Sequence, residues 1–217
     1  MVNQKQIKEL KKEGNSTIDS IFEEERKTII EKIQEIFQKA ITITKRLLNS
    51  NEEVTISNQE KQIFTDLIGE SIKGLTDEYK QELNTSLNIG LSQQESITQL
   101  KQRVDAILQG DNPTKLKYKN RLNLIVRTES SRIFNAGSYK TSKQLGAKYK
   151  YLIGVNDNRQ AKDSDIALSK YGSPDKAIPI EEYFTYYYNG KQRIFLFPPD
   201  RPNDRSTCIF LFEKPSN

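Results

Sequence analysis

The sequence predicts an α+β fold in which an N-terminal bundle of long helices precedes a small antiparallel β unit with a proline-rich loop. From Thr17 to about Leu145, apolar residues recur at the three-and-four spacing of one helical face. After Gly146 the chain changes to short aromatic and β-branched runs, which favour strands. Asn189-Gly190 separates two of these runs and indicates a hairpin, because both positions of such a turn need positive φ.

The first two helices have recognisable ends. The first is expected to begin at Thr17 and to end before Asn49, with Gly14 separating it from a polar segment rich in Lys, Gln and Glu. The second begins with the pattern Ser57–Glu60, a capping box in which serine and glutamate bond each other's backbone N–H groups. Gly90 is expected to stop it, since glycine is a poor helix former.

Two further helices are expected before the sheet. Ser92–Glu95 repeats the capping signature and predicts a third helix that ends near Gly110. A fourth should run from about Thr114 to Leu145. The chain is therefore predicted to comprise a flexible tail over residues 1–16, a helical region over 17–112 and an α+β domain over 113–217.

The β unit is expected to hold four strands. A short helix or ordered loop should lie between Asp157 and Lys170, after the first strand. The strands are predicted over Tyr149–Val155, Tyr183–Tyr188, Lys191–Phe197 and Thr207–Phe212.

Composition narrows the classes of function. The chain has one cysteine and no histidine, which excludes an internal disulfide and zinc sites of the Cys/His type, and no metal or cofactor is expected. Without histidine, the usual general base near pH 7 is missing, so catalysis is disfavoured. No apolar stretch is long enough to cross a membrane and no signal pattern opens the chain, so we expect a soluble protein that acts without a membrane.

The positive charge is concentrated in one block. Residues 113–150 contain ten Lys/Arg and one Asp/Glu, a net charge of +9, whereas residues 1–112 carry −4 and residues 151–217 carry zero. Such a block suits non-specific contacts with the phosphates of double-stranded DNA. The alternatives are a solvated face, or a basic surface that complements the acidic first segment or an acidic partner protein. The candidate DNA-binding residues are Lys115, Lys117, Lys119, Arg121, Arg132, Lys140, Lys143, Lys148 and Lys150.

Two segments about forty residues apart carry further information, namely Asp157–Ser164 and Pro198–Cys208. The three prolines of the second segment fix φ and withhold backbone donors, so it should be a stiff loop. Taken in order with Arg127-Thr128-Glu129, Asn135 and Gly137 on the fourth helix, these segments resemble the phage Mu F-like family of minor head proteins. The resemblance covers about residues 90–210.

The chain departs from that family at several positions together. Where many members of the family have Cys or His, this chain has Ala161, Ser164, Arg201, Asp204 and Ser206. Joint loss is consistent with the loss of one metal site or crosslink. We therefore expect ion pairs to hold the loop instead, with Asp157 or Asp204 pairing with Arg205 or Arg159 across the two segments. The residues assigned to this structural clasp are Arg127, Glu129, Asp157, Arg159, Pro198, Pro199, Asp204 and Arg205.

The resemblance implies a structural, non-enzymatic role in the head of a tailed phage. Members of the family are incorporated in few copies during head assembly and affect DNA packaging, retention or ejection. The implied partners are the portal protein, the major capsid protein or both, with an oligomeric state left open. The implied location is the capsid interior near the portal vertex, and the host cytoplasm during assembly.

The sequence also admits two enzymatic alternatives. An ADP-ribosyltransferase-like toxin is suggested by Arg127-Thr128-Glu129, but such enzymes place the arginine on a strand and a Glu-x-Glu pair later in the chain. A magnesium-dependent nuclease could use Asp157, Asp163 and Asp165, although loop aspartates are common turn formers. The sequence therefore favours a structural role for Arg127, Glu129 and the aspartates.

Overall fold

A computed structural model describes residues 3–108, 113–155, 161–202 and 204–214. The α+β class is confirmed. The helices are α1 (Gln4–Leu47), α2 (Asn58–Ser92), α3 (Ile97–Leu108), α4 (Pro113–Gln144) and α5 (Lys162–Tyr171), with a 3-10 turn at Pro174–Lys176. The strands are β1 (Tyr149–Ile153), β2 (Ile178–Pro179), β3 (Phe184–Tyr188), β4 (Lys191–Phe195) and β5 (Thr207–Leu211).

Helix α1 begins much earlier than the sequence predicts. It runs without a break through Gly14, and Leu10 is buried, so residues 4–16 belong to the helix rather than to a separate tail. The physical reason is close packing: a Cβ at Gly14 would lie 2.6 Å from Cδ2 of Leu83. The glycine permits two helices to approach each other instead of ending one of them.

The predicted capping box is confirmed at the start of α2, whereas the box at the start of α3 lies at other residues than predicted. At α2, Ser57 N donates to Glu60 Oε2 at 2.9 Å and Glu60 N donates to Ser57 Oγ at 3.2 Å. At α3 the reciprocal pair is Ser96 and Gln99, at 2.8 Å and 3.4 Å, so the predicted box at Ser92–Glu95 is wrong by four residues. Helix α2 consequently continues through Gly90, where a Cβ would meet Leu100 Cδ2 at 2.7 Å.

The strands form a sheet and a separate hairpin. The sheet has the order β2-β1-β5, and β1 pairs with both neighbours in antiparallel fashion. Strands β3 and β4 form the predicted hairpin, in which Asn189 and Gly190 have φ of 49° and 73°. The predicted fourth helix, the helix near residue 165 and all four strands are present, whereas the two-residue strand β2 was not predicted.

The chain divides into two compact units that do not follow the predicted boundaries at residues 16 and 112. The first comprises the chain up to Glu31 together with Thr65–Ile125, and the second comprises Lys32–Phe64 together with Val126–Asn217. The difference arises because segments distant in sequence pack together, which periodicity along a single segment does not reveal.

The first unit is helical and has its own core. Tyr79 stacks on Tyr118 with the ring centroids 4.2 Å apart, and its hydroxyl donates to the carbonyl of Ile107 at 2.8 Å. Buried apolar residues line the helices around this pair, among them Ile18, Phe22, Ile68, Ile72, Leu75, Leu83, Leu87, Leu100 and Val104.

The second unit contains both β elements. Its principal core lies under the sheet and the hairpin, where Leu152, Phe184 and Tyr186 are buried. Phe184 packs edge-on against Tyr171 of α5, with the ring centroids 5.1 Å apart. No helix in the described ranges is long and apolar enough to span a membrane.

Candidate functional site

The loop between β4 and β5 is held to α5 by one arginine. Arg201 Nη2 lies 2.6 Å from Asp163 Oδ1 and 2.8 Å from Ser164 Oγ. The other terminal nitrogen, Nη1, donates to Asp200 Oδ1 at 2.8 Å and lies 3.9 Å from Asp204 Oδ1. Arg201 therefore joins α5 to two aspartates of the loop in a single cluster, which we call the Arg201 cluster: Arg201, Asp163, Ser164, Asp200 and Asp204.

Burial strengthens the electrostatic interactions within this cluster. The side chains of the three aspartates are at most 7% exposed and that of Arg201 is 17% exposed, so water screens their charges weakly. Burial by itself would lower the pKa of the Arg201 guanidinium, but the facing carboxylates raise it above its ordinary value. The arginine is permanently charged and compensates part of the negative charge of three carboxylates.

Further hydrogen bonds fix the carboxylates. Asp204 accepts from the backbone N–H groups of Ser206 at 3.0 Å and of Asp200 at 3.2 Å. The hydroxyl of Tyr186 donates to Asp200 Oδ2 at 2.6 Å. Burial, followed by this bond to a carboxylate, raises the pKa of Tyr186, so the phenol keeps its proton. The cluster is thus anchored in the hairpin as well as in α5.

An Arg–carboxylate link across the two predicted segments exists, but the prediction named other residues for it. Asp157 and Arg159 lie outside the described residues, so their pairing stays a prediction. Arg205 is half-buried, and the link that the structure shows runs from Arg201 to Asp163. Four of the five positions that the resemblance aligns with Cys or His come together in or beside this cluster: Ser164, Arg201, Asp204 and Ser206. The fifth, Ala161, directly precedes α5.

The prolines shape the start of the loop. Pro198 and Pro199 are both buried and the peptide bond between them is cis. Just before them, the Phe197 ring packs against Tyr139 of α4 with the centroids 5.6 Å apart. The predicted stiff, specifically shaped loop therefore has both backbone restraint and side-chain anchors.

Asn135 connects α4 to the beginning of β5. Its Oδ1 accepts hydrogen bonds from the hydroxyl of Thr207 at 2.6 Å and from the backbone N–H of Cys208 at 3.4 Å, and the residue is 2% exposed. Two residues later, Gly137 lets α4 approach α1, since a Cβ there would lie 2.9 Å from that of Ala40. Both motif residues therefore hold elements together within the second unit.

The clasp roles predicted for Arg127 and Glu129 need correction. Glu129 is buried and pairs with Arg132 of the same helix, at 2.5 Å and 2.6 Å, rather than bridging α4 to the sheet. Arg127 is exposed on α4. Because residues two apart on a helix point in different directions, these two side chains have different surroundings.

Most of the predicted DNA-binding cations are engaged by carboxylates of their own unit. In the first unit, Lys117 Nζ lies 2.8 Å from Glu82 Oε2, and Arg121 forms an ion pair with Glu78. In the second, Lys140 pairs with Glu60 at 2.7 Å and Lys143 with Glu181 at 2.5 Å. These pairs lower the pKa of Glu60, Glu78 and Glu181. Together with Arg132 and its partner Glu129, five of the nine candidates are ion-paired.

Lys150 is buried, contrary to the prediction that it contacts DNA. It is 0% exposed on β1, and its Nζ donates to the carbonyl of Leu196 at 2.7 Å. The rings of Phe184 and Tyr139 face the ammonium group at 4.9 Å and 5.5 Å. Burial lowers the pKa of Lys150 to about 8. This lysine ties β1 to the start of the proline loop.

The remaining basic candidates are Lys115, Lys119 and Lys148. Lys119 and Lys148 are exposed, and the side chain of Lys115 lies outside the described residues. The geometry therefore agrees better with the alternative in which the basic block complements acidic residues of the chain itself.

Two of the three aspartates of the nuclease alternative, Asp163 and Asp165, lie within the described residues. Asp163 is committed to Arg201, Asp165 lies in the first turn of α5, and Asp157 lies outside the described residues. Within the described ranges, no group of three or more Cys, Asp or Glu side chains has an arrangement that could hold a metal ion.

Comparison of the chain with protein-family models, with curated proteins and with solved structures found no match.

Proposed function

We propose that this chain is a structural protein of a tailed-phage head, similar to the Mu F-like minor head proteins. One observation carries most of the proposal: two residues that belong to the resemblance, Asn135 and Arg201, join elements of the second unit through their side chains. Asn135 binds the start of β5, and Arg201 binds the proline loop to α5. A motif whose polar groups serve the fold supports a structural role better than a catalytic one.

The Arg201 cluster adds a second line of support. Three of the five positions that the resemblance aligns with Cys or His belong to it, namely Ser164, Arg201 and Asp204, and a fourth, Ser206, donates its backbone N–H to Asp204. Buried Arg–carboxylate contacts of this geometry fix a loop shape. The loop would thus keep a family-like shape through a different chemistry.

The proposal includes docking on the portal or on the major capsid protein in the capsid interior. Its test is co-purification of the tagged chain with both proteins from assembling heads, with the Arg201→Met variant compared in parallel. We expect the unaltered chain to be present in procapsids, and we expect fewer copies of the variant to be incorporated into them. Absence of the chain from procapsids and from virions alike would overturn the proposal.

Direct DNA contact is the less supported part of this function, because internal carboxylates face most of the basic side chains. An experiment that removes the carboxylates paired with these cations tests DNA contact. If ion pairing masks the cations, the E78Q/E82Q double variant should bind a non-specific duplex more tightly than the unaltered chain, with a steep loss between about 50 and 200 mM salt. If neither protein binds the duplex at low salt, DNA contact is removed from the proposal.

A further inference from the structure

Strand β4 has an outer edge, because within the described residues its only strand neighbour is β3. The two residues that flank a two-residue hairpin turn bond each other's backbone, and the bonding then alternates along each strand. Lys191, Arg193 and Phe195 therefore direct their backbone N–H and C=O groups towards β3. The backbone groups of Gln192 and Ile194 point the other way, along the outer edge.

Two contacts support this alternation and bound the open part of the edge. Thr185 belongs to the outward-facing set on β3, and the Tyr171 hydroxyl bonds its carbonyl at 3.0 Å and its N–H at 3.1 Å. Leu196 continues the outward-facing set of β4, and its carbonyl accepts from Lys150 Nζ at 2.7 Å. Helix α5 thus covers the outer edge of β3, and Lys150 ends the open edge of β4 at Leu196.

One face of the hairpin presents apolar surface next to this edge. Phe184 is buried, so the alternating side chains of Thr185 and Tyr187 lie on the opposite, outer face. Ile194 pairs with Thr185, and its side chain lies on the same face. Tyr187 is 65% exposed and Ile194 is 59% exposed. None of the β3 and β4 residues on this face, which also includes Gln192, is charged.

The other face of β4 carries two cations. Lys191 is exposed and Arg193 is half-buried, and neither has a carboxylate partner within the described ranges. The Nε of Arg193 is buried and has no hydrogen-bond acceptor in that part of the chain. A buried donor without an acceptor is unfavourable, so Arg193 favours a ligand that supplies one. Because both cations belong to β4 itself, they favour acidic groups along this edge.

A second copy of the hairpin does not fit the edge. Two-fold antiparallel pairing of β4 with itself, centred on Gln192 or on Arg193, places cations of the two copies opposite each other, which is destabilising. Pairing centred on Ile194 would bring the second copy to Leu196, where Lys150 already binds the carbonyl. Lysine on an edge strand is a common device against self-association. The occupant that fits the edge therefore carries the opposite charge.

From these observations we propose that the outer edge of β4 binds an extended segment of a partner protein in which acidic and apolar residues alternate. The segment adds as an antiparallel strand and bonds the backbone of Gln192 and Ile194. Its acidic side chains lie on the face of Lys191 and Arg193, and its apolar side chains lie beside Ile194 and Tyr187. Backbone hydrogen bonds supply affinity in this mode of recognition, and the alternate side chains supply selectivity. This binding does not depend on the phage-head assignment.

The test uses the full chain and short fluorescein-labelled peptides, with fluorescence anisotropy as the readout. The first peptide alternates glutamate and valine, and the second has lysine in place of glutamate. The third has the composition of the first, with all glutamates before all valines. We expect saturable binding of the first with a Kd below about 1 mM, and binding of the other two that is weaker by about tenfold or more. Absence of saturable binding by the first, or equal binding of either of the others, would overturn the proposal.

Charge reversal on β4 should reverse this preference. The Lys191→Glu/Arg193→Glu double variant should bind the lysine peptide about tenfold more tightly than the glutamate peptide, since opposite charges on neighbouring strands attract. The control, Lys39→Glu/Arg127→Glu, makes the same change in net charge at exposed positions of α1 and α4 and should keep the preference of the unaltered chain. A β4 variant with the circular dichroism spectrum of the unaltered chain that still prefers glutamate contradicts the proposal.

A pair of N-methylated peptides separates strand addition from charge attraction alone. In an antiparallel addition the valines share the face of Ile194, and their amides point at β4, whereas the glutamate amides point away. N-methylation of the valines should therefore weaken binding about tenfold or more, and N-methylation of the glutamates should be tolerated. Equal affinities of the two methylated peptides would show that no strand is added.

Discussion

Arg201 Nη2 lies 2.6 Å from Asp163 Oδ1, and this contact joins the loop after β4 to the first turn of α5. The same guanidinium also contacts Asp200 and lies near Asp204. A single permanently charged group therefore compensates part of the negative charge of three largely buried carboxylates.

Replacing Arg201 by Met should destabilise the protein strongly. The variant leaves three buried carboxylates without their cation, and breaking a buried ion pair from one side typically costs about 3–5 kcal/mol. Urea unfolding monitored by circular dichroism measures the change in the free energy of unfolding. The matched control is Arg127→Met on exposed α4 surface, for which we expect a change below about 0.5 kcal/mol. Equal effects of the two substitutions would show that the cluster is not a stabilising element.

Lys150 should make stability rise with pH in the alkaline range. Its pKa is lowered to about 8 in the folded protein from 10.5 in the unfolded chain, so between these values the unfolded state binds more protons. Stability should therefore increase from pH 8 to about 10.5, by up to about 3 kcal/mol. Below pH 8 the buried charge carries a constant cost.

The control for this titration is Lys150→Met, which keeps the length of the side chain and removes the ionisable group. Tyrosines also titrate in this range, but they are common to both proteins. The measurement is thus the difference in the free energy of unfolding between the two proteins at each pH. A difference that stays constant from pH 7 to pH 10.5 would rule out titration of Lys150 in this range.

Asn135 and Thr207 should be energetically coupled. Their 2.6 Å hydrogen bond is part of the link between α4 and β5, and Asn135→Ala also leaves the N–H of Cys208 without its acceptor. We expect a loss of about 2 kcal/mol for Asn135→Ala and a smaller loss for Thr207→Val. A double-mutant cycle measures the coupling, which should be at least about 0.5 kcal/mol. Strict additivity would mean that the two side chains do not stabilise each other.

Two glycines in helices should respond in opposite directions to substitution by alanine. At Gly137 the new Cβ would lie 2.9 Å from Ala40 and 3.1 Å from Phe37, so crowding should cost about 1–3 kcal/mol. At Gly74, nothing lies within 4 Å of the new Cβ, and better helix propensity should add about 0.8 kcal/mol. Thermal unfolding of the two variants measures both signs. A stabilised Gly137→Ala protein would contradict the close approach of α1 and α4.

The turns and helix caps that depend on neighbouring residues could be predicted from the sequence. The Asn189-Gly190 hairpin and the Ser57–Glu60 cap depend on neighbours within a few residues, and both are present. Prediction failed at Gly14 and Gly90, where the deciding contacts come from Leu83 and Leu100 in other helices. A glycine that ends a helix and a glycine that admits a neighbour look the same in one sequence.

The candidate site shows the same contrast between features that depend on local sequence and features that depend on distant residues. An Arg–carboxylate link between the loop and α5 could be predicted from residue types, but the pair Arg201–Asp163 could not be chosen without knowing that α5 presents Asp163 to the loop. The basic block can be recognised in the sequence. Its partners Glu78 and Glu82 cannot, because they lie 35–43 residues away from Lys117 and Arg121 along the chain. Lys150 follows a strand alternation that places it inside, yet a lysine is almost never fully buried, so its position was not predicted.

Asn135 also bears on how the outer edge of β5 is protected. The edge of a sheet is a template on which other chains aggregate, and proteins commonly cover or interrupt such edges. By accepting the outward N–H of Cys208, Asn135 occupies a position that a strand from an unrelated chain would otherwise use. One amide side chain thereby interrupts the outer edge of β5 and limits unwanted growth of the sheet.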